Sequence, residues 1–192
     1  SLAYAQELNE AAWAAISRHS AICLAAQLRD DGALQPVVRA CSGWMPEDLP
    51  HVLKYKGKTN ADFTYLMLHC ARAASAFAHE PGPLRILDPM CGKGTTLMCA
   101  LCENCDAIGV DTDAKAIREA ESYLERSLKL HRIKHRRASG ALTLPDGKSA
   151  RWSEYALAPD AQIMRTSPLS VRMIHGDAGG LDALIRPQSC HL

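Results

Sequence analysis

The segment Leu87-Asp88-Pro89-Met90-Cys91-Gly92-Lys93-Gly94-Thr95-Thr96 decides the fold class of this chain. It continues a short apolar run that begins at residue 84 and is typical of a buried parallel strand, and it leads into a stretch with helical spacing. Asp88 therefore ends a strand, and Gly92 and Gly94 lie in the turn before a helix. Such a turn brings backbone N–H groups close to a ligand.

The same pattern of strand, turn and helix repeats along the chain. Residues 107–111 and 171–175 predict two further strands of the parallel type, and residues 113–130 predict an amphipathic helix. Upstream, residues 59–77 predict a helix that begins at a capping residue. Alternating strands and helices indicate an α/β fold.

Two parts of the chain depart from this pattern. Residues 1–50 predict one or two helices, up to about residue 29, and then a connector rich in proline and glycine. Residues 131–170 contain the turn Pro145-Asp146-Gly147 between two strand-like runs, which predicts a hairpin. We therefore interpret residues 1–50 as an N-terminal helical extension with a connector. Residues 51–192 form a second domain with an insertion at about 131–170.

The composition excludes several classes of protein. Hydrophobic residues make up 47% of the 192 residues and charged residues 22%, which is typical of a globular fold and not of a disordered chain. The 22 basic and 21 acidic side chains nearly balance, so no overall field attracts the chain to nucleic acid or membrane. The apolar runs are far shorter than the roughly 20 residues that span a bilayer. Because no secretory signal is recognised, we expect the eight cysteines to be reduced and the location to be cytoplasmic.

The glycine turn has to be compared with the turns that bind different nucleotides. A triphosphate-binding loop needs a glycine where this chain has Leu87 and a hydroxyl residue where it has Gly94, so that interpretation fails. A dinucleotide-binding turn needs a third glycine at position 97, which is leucine here. NAD remains an alternative.

S-adenosylmethionine fits the carboxylates of three successive strand ends. Asp88 can bind the α-ammonium group of this cofactor, while the two glycines let the backbone approach it. Asp111 ends the next strand and can accept hydrogen bonds from ribose hydroxyls. After the third strand, Asp177 can accept from the adenine amine and Ala178 offers a backbone N–H. In an open parallel sheet these strand ends meet at one crevice.

The segment from Asp88 to Thr95 resembles the Asp-Pro-x-Cys-Gly-x-Gly-Thr signature of class I SAM-dependent methyltransferases of the RNA guanine and DNA amino-methylating type. Residues 54–60 resemble the segment that precedes the first strand in those enzymes, and the similarity covers about residues 51–130 and 171–185. The resemblance implies a Rossmann-like fold with an incomplete parallel sheet. It also implies that Thr59 and Asn60 contact the cofactor's carboxylate. The wall at the methionine side then consists of Asp88, Cys91, Gly92, Gly94 and Thr95, with Asp111 at the ribose and Asp177 at the adenine.

The implied reaction is methyl transfer to an exocyclic amine of a nucleobase in RNA (tRNA or rRNA) or DNA, with RNA favoured. Members of the family carry an Asp/Asn-Pro-Pro-Tyr/Phe motif or a close variant at the end of the next strand, whereas no two prolines are adjacent in this chain. We therefore predict no catalytic residue. We expect an N-terminal portion of a longer enzyme, or a chain without the later strands, that binds cofactor better than it turns over. A small-molecule methyltransferase and a non-catalytic SAM-binding module remain alternatives.

Two further patterns each have two interpretations. The spacing Cys99-x-x-Cys102-x-x-Cys105 resembles a cluster-binding run, but helical thiols that pack against a sheet have the same spacing, and we predict no metal. A basic run follows the helix 113–130 and either contacts a phosphate backbone or complements the dipole of the helix C-terminus. The basic run consists of Lys129, Arg132, Lys134, Arg136 and Arg137, with His131 and His135.

Overall fold

The computed structural model of the chain describes residues 8–9, 12–13, 16, 25–36, 43–80, 82–144, 147 and 149–192. Its strands are β1 Ala26–Leu28, β2 Leu34–Pro36, β3 Arg85–Asp88, β4 Asp106–Asp111, β5 Lys134–Thr143, β6 Ser149–Ala158 and β7 Leu169–His175. Its helices are α1 Leu49–Val52, α2 Ala61–Ala74, α3 Thr95–Cys102, α4 Ala114–Leu130, α5 Ile163–Thr166 and α6 Leu181–Leu184.

The central sheet has five strands in the order β3-β4-β7-β6-β5. Strands β3, β4 and β7 run parallel to one another, while β6 pairs antiparallel with both β7 and β5. The predicted α/β class is therefore confirmed. The sheet is mixed, however, so a parallel arrangement describes only three of its five strands.

The hairpin of β5 and β6 is an integral part of the sheet, although the sequence predicts an insertion at 131–170. Strand β6 pairs with β7 from Arg151 opposite His175 to Leu157 opposite Leu169. One face of β6 is buried, through Ser153, Tyr155 and Leu157, which explains why the hairpin docks on the core instead of projecting from it. The sequence pattern missed the first half of β5 because its basic side chains resemble those of a solvated loop.

Helices α3 and α4 pack on one face of the sheet and form the main core with it. In α3, every residue from Leu97 to Cys102 is buried, because α1 and α2 cover its outer side. Helix α4 is amphipathic and buries Leu124 and Leu128. It begins at Asp113, whose side chain accepts hydrogen bonds from the first turn.

Helix α2 begins at the predicted cap. The Asn60 side chain accepts a hydrogen bond from Phe63 N at 3.1 Å. The helix ends at Ala74, a few residues before the predicted end. The apolar residues at helical spacing that predict this helix do not form its buried face, since Phe63 and Met67 are more than half exposed, at 55% and 54%. Helical periodicity therefore identified the element correctly but not the side that packs.

A short hairpin occupies residues 26–36, where the sequence predicts the end of a helix and a connector. Strands β1 and β2 pair antiparallel around Gly32, whose φ of 80° suits glycine. Asp31 stabilises this turn by accepting from Ala33 N at 2.9 Å. The helix prediction is therefore wrong for 26–28, because local turn chemistry outweighs the helix propensity of the alanine-rich segment. Most of the remaining predicted helix lies outside the described residues.

The segment before α2 packs against the main domain. Met45 and Leu49 are buried in the main core, and Tyr123 Oη donates to Leu49 O at 2.5 Å. The proposed division of the chain near residue 50 stays a prediction. Within the part of the chain that the structure describes, no helix combines the length and the apolar character needed to cross a membrane.

Candidate functional site

The C-terminal ends of β3, β4 and β7 lie side by side, and we call this side of the sheet the carboxyl edge. Asp88 is opposite Gly109, and Asp111 is opposite His175, in the two parallel pairings. Gly176 N also donates to Asp111 O at 3.0 Å, which holds the end of β7 beside the end of β4. The predicted carboxylates Asp88 and Asp111 thus share this edge, and Asp177 follows two residues after β7.

The glycine turn, residues 89–94, crosses the end of β4. Gly92 and Gly94 have φ values of 53° and 81°, a region that other residues adopt only with strain. Cys91 N donates to Val110 O at 3.0 Å, so the turn is hydrogen-bonded to the neighbouring strand. Gly109 makes this approach possible, because a Cβ there would lie 2.7 Å from Cys91 Sγ.

Asp111 connects the two strand ends through its side chain. Its Oδ2 accepts from Gly92 N at 2.7 Å and its Oδ1 accepts from Asp113 N at 2.8 Å. A carboxylate has about four lone-pair positions, so these two bonds leave acceptor capacity for ribose hydroxyls. Asp111 therefore orders the glycine turn and still has positions for a ligand.

Asp88 and Asp177 also accept backbone hydrogen bonds. Asp88 Oδ1 accepts from Met90 N at 3.1 Å, inside the glycine turn. Asp177 is exposed, and its Oδ1 accepts from Gly179 N at 2.9 Å, which caps the 3₁₀ turn that begins at Ala178. Both contacts shape loops, as acids at strand ends commonly do.

The predicted contacts to the cofactor's carboxylate share no hydrogen bond with the glycine turn among the residues that the structure describes. Thr59 and Asn60 are exposed ahead of α2, and the Asn60 side chain is used as the helix cap. The residue after Asn60, Ala61, accepts a hydrogen bond at its carbonyl oxygen from Cys99 Sγ in α3 at 3.8 Å. Thr95 is buried, and its Oγ1 lies 3.4 Å from Tyr55 Oη.

A small cleft, open to solvent, has Thr95 in its lining. Lys93 borders it with its Nζ 4.4 Å from the centre of the Tyr55 ring, and Lys93 also forms an ion pair with Glu119 at 2.5 Å. None of the predicted carboxylates lines this cleft. Its lining consists of Leu49, Pro50, Leu53, Tyr55, Lys58, Lys93, Thr95, Met98 and Tyr123.

The Cys91 thiol is held in its protonated form beneath the glycine turn. Burial, together with the nearby charges of Asp88 and Asp111, raises its pKa to about 12. A thiol in this state is a poor nucleophile. Cys91 therefore packs as a buried, protonated side chain of the glycine turn.

The pairing of β6 with β7 adds two residues that the sequence analysis missed. Arg151 lies opposite His175, which lies opposite Asp111, so the three residues form one row across the carboxyl edge. Directly paired residues project from the same face of a sheet. No sequence signal identifies Arg151, because its place depends on the hairpin joining this sheet.

The three cysteines of the Cys99-x-x-Cys102-x-x-Cys105 pattern each make a hydrogen bond to a different acceptor. The sulfur atoms of Cys99, Cys102 and Cys105 donate to Ala61 O, Pro46 O and Glu103 O. Burial raises the pKa of all three thiols. These contacts are those of thiols packed in a core.

The basic run lies away from the carboxyl edge. Lys134 is opposite Ala158, whereas Ala141 is opposite Arg151 at the carboxyl edge. These positions are seven residues apart on β5, which corresponds to roughly 23 Å. Arg137 is also neutralised by ion pairs at 3.2 Å and 3.6 Å with the glutamates of α4. The predicted nucleic-acid contact of this run therefore stays a prediction, with its charges far from the strand ends.

Comparison of the chain with protein-family models, with curated proteins and with solved structures gave no match.

Proposed function

We propose that the chain binds S-adenosylmethionine at the carboxyl edge and belongs to an enzyme that methylates an exocyclic amine of a nucleobase in RNA or DNA, with RNA favoured. The observation that carries the proposal is the 2.7 Å hydrogen bond from Gly92 N to Asp111 Oδ2. It joins the glycine turn after β3 to the acid at the end of β4. Strand β3 connects to the parallel strand β4 through α3, and β4 connects to the parallel strand β7 through α4, the β5–β6 hairpin and α5. This arrangement is compatible with a Rossmann-like fold.

The residues present fit this cofactor. A Cβ added at Gly92 would meet no atom within 4 Å, so the outer side of the turn is open to a ligand. Asp111 would hold the ribose hydroxyls, and Asp88 would hold the ammonium group. Asp177 and the N–H of Ala178 would hold the adenine.

The cofactor supplies an activated methyl group on a sulfonium, so the protein mainly aligns the acceptor amine and excludes water. A delocalised exocyclic amine also needs an acceptor for its hydrogen and a ring to stack on. We assign no residue of this chain to that role, since it has no adjacent prolines. The same observation favours a second candidate, a SAM-binding module without activity of its own.

Replacing Asp111 by alanine is expected to weaken the binding of S-adenosylhomocysteine at least tenfold, or about 1.4 kcal/mol. The substitution removes the ribose acceptor and releases the glycine turn. Isothermal titration calorimetry measures the change.

Asp160→Ala is the matched control for this substitution. Asp160 Oδ1 also accepts two backbone hydrogen bonds, at 2.8 Å and 2.9 Å, but at the start of α5 and away from the carboxyl edge. The Asp160→Ala variant should bind S-adenosylhomocysteine with the affinity of the wild type. Equal affinities of the Asp111 and Asp160 variants would remove Asp111 from the proposed site.

A further inference from the structure

The carboxyl edge carries positive charge of its own, distinct from the basic run. Arg151 is exposed and lies in one row with His175 and Asp111. Two strand spacings separate Arg151 from Asp111, which corresponds to about 10 Å. Arg151 thus lies next to the proposed cofactor site, whereas the basic run begins at the opposite end of β5.

Helix α4 brings a third basic side chain toward this row. Ser153 Oγ donates to Glu121 Oε1 at 2.5 Å, and Tyr155 Oη donates to Glu125 Oε1 at 2.9 Å, so α4 covers the face from which Arg151 also projects. Arg118 precedes Glu121 by three residues. It therefore lies about one helical turn closer to the carboxyl edge, on the same side of α4.

These two arginines differ from Arg137 in their ion pairing. Arg137 is held by two glutamates, at 3.2 Å and 3.6 Å. Arg118 and Arg151 are exposed, and neither side chain makes a hydrogen bond or an ion pair with another residue that the structure describes. The two acids nearest to Arg118 along the chain are engaged elsewhere. Glu119 pairs with Lys93 and Lys115. Glu121 pairs with Arg137 and accepts from Ser153.

We propose that Arg118, Arg151 and His175 form a phosphate-binding patch for the backbone of a nucleic-acid strand. Arginine matches a phosphate with two parallel hydrogen bonds, and an imidazole beside it can donate a third. The inference rests on the proposed function, because it assigns this patch to the strand whose base enters the neighbouring site. It moves the expected nucleic-acid contact from the basic run to the carboxyl edge.

The test is the binding of a fluorescein-labelled single-stranded oligoribonucleotide, followed by anisotropy over a series of KCl concentrations. Each neutralised phosphate of a single strand contributes about 0.7 to the slope of log affinity against log salt. We expect Arg151→Ala to lower this slope by about 0.7 and to weaken binding about fivefold at about 0.1 M salt. Arg118→Ala should have a similar effect.

Arg136→Ala is the matched control, because it removes the same charge from the same hairpin at its far end. Arg136 donates only to a backbone carbonyl, Met164 O, at 2.8 Å. We expect its slope and affinity to stay close to those of the wild type. A larger loss in Arg136→Ala than in Arg151→Ala would overturn the proposal and return the contact to the basic run. Wild-type slopes in both Arg118→Ala and Arg151→Ala, or no binding of RNA by the wild type, would overturn it as well.

Two additional measurements separate the sources of phosphate and the two proposals. An unlabelled oligoribonucleotide should displace the labelled one, while a mononucleotide at the same phosphate concentration should not; equal competition by the mononucleotide would overturn a strand-binding patch. Calorimetry with S-adenosylhomocysteine should give the same affinity for Arg151→Ala and wild type. If the wild type does not bind S-adenosylhomocysteine but binds RNA in a way that depends on Arg151, the proposed function is rejected and the phosphate-binding patch stands.

Discussion

Raising the pH from about 8 to about 10.5 under reducing conditions is expected to lower the free energy of unfolding steeply, by several kcal/mol. Four thiols in or beside the main core cause this loss. Burial raises the pKa of each above the ordinary value of 9.0, to about 12 for Cys91 and for Cys102. The four are Cys91, Cys99, Cys102 and Cys105.

The sign follows from where protons are bound. Above pH 9 the unfolded chain ionises these thiols, while the folded chain keeps them protonated, so the folded state binds more protons. Stability is therefore fully present below pH 9 and is lost as the pH rises toward the folded pKa values. Each thiol contributes a slope approaching about 1.4 kcal/mol per pH unit, so the four together approach roughly 5 kcal/mol per unit. The buried hydroxyl of Tyr155, whose pKa is also raised by burial, adds to the loss at the alkaline end.

Urea unfolding at each pH measures this slope. Cys99→Ala should reduce it by the contribution of one proton, and Cys70→Ser, which alters an exposed thiol, is the matched control. A free energy of unfolding that is flat over this pH range would contradict the buried and protonated state of these thiols.

Gly109→Ala is expected to destabilise the protein by about 3 kcal/mol and to abolish the binding of S-adenosylhomocysteine at micromolar concentration. The added Cβ would lie 2.7 Å from both Cys91 Sγ and Leu97 Cδ1, and both side chains are buried. The glycine turn would have to move away from β4, which would break the contact between Gly92 and Asp111. Urea unfolding and calorimetry measure the two effects.

Gly82→Ala is the control for this substitution, since a Cβ there meets no atom within 4 Å and its backbone is not in the left-handed region. It should leave stability and binding close to those of the wild type. The double variant Gly109→Ala/Cys91→Ala should lose less stability than the two single variants lose together, because the added methyl group then has more room. A Gly109→Ala variant as stable as the control would show that the turn does not lie across β4 as described.

Local patterns predicted the elements around the site. The apolar run before Asp88, the cap at Asn60 and the amphipathic pattern of residues 113–130 each depend on interactions within a few residues. The structure places β3, α2 and α4 at these positions. Strand ends in a parallel arrangement meet at one edge, which is why Asp88 and Asp111 were predicted together.

Long-range pairing decided what local patterns could not. The basic first half of β5 resembles a loop until it is paired with β6. The buried face of β6 contacts α4 through Ser153 and Tyr155. The exposed side of α2 likewise depends on which helix packs against it.

The amino-acid sequence alone determined the α/β class, the glycine turn and the acids at the strand ends, because these follow from backbone preferences and short-range periodicity. The tertiary structure alone decided that a hairpin extends the sheet, that Asp111 holds Gly92, and that Arg151 reaches the same edge while the basic run lies at the other end. The physical reason is that strand order and register depend on contacts between residues far apart in the chain. Such contacts leave no local pattern in the sequence.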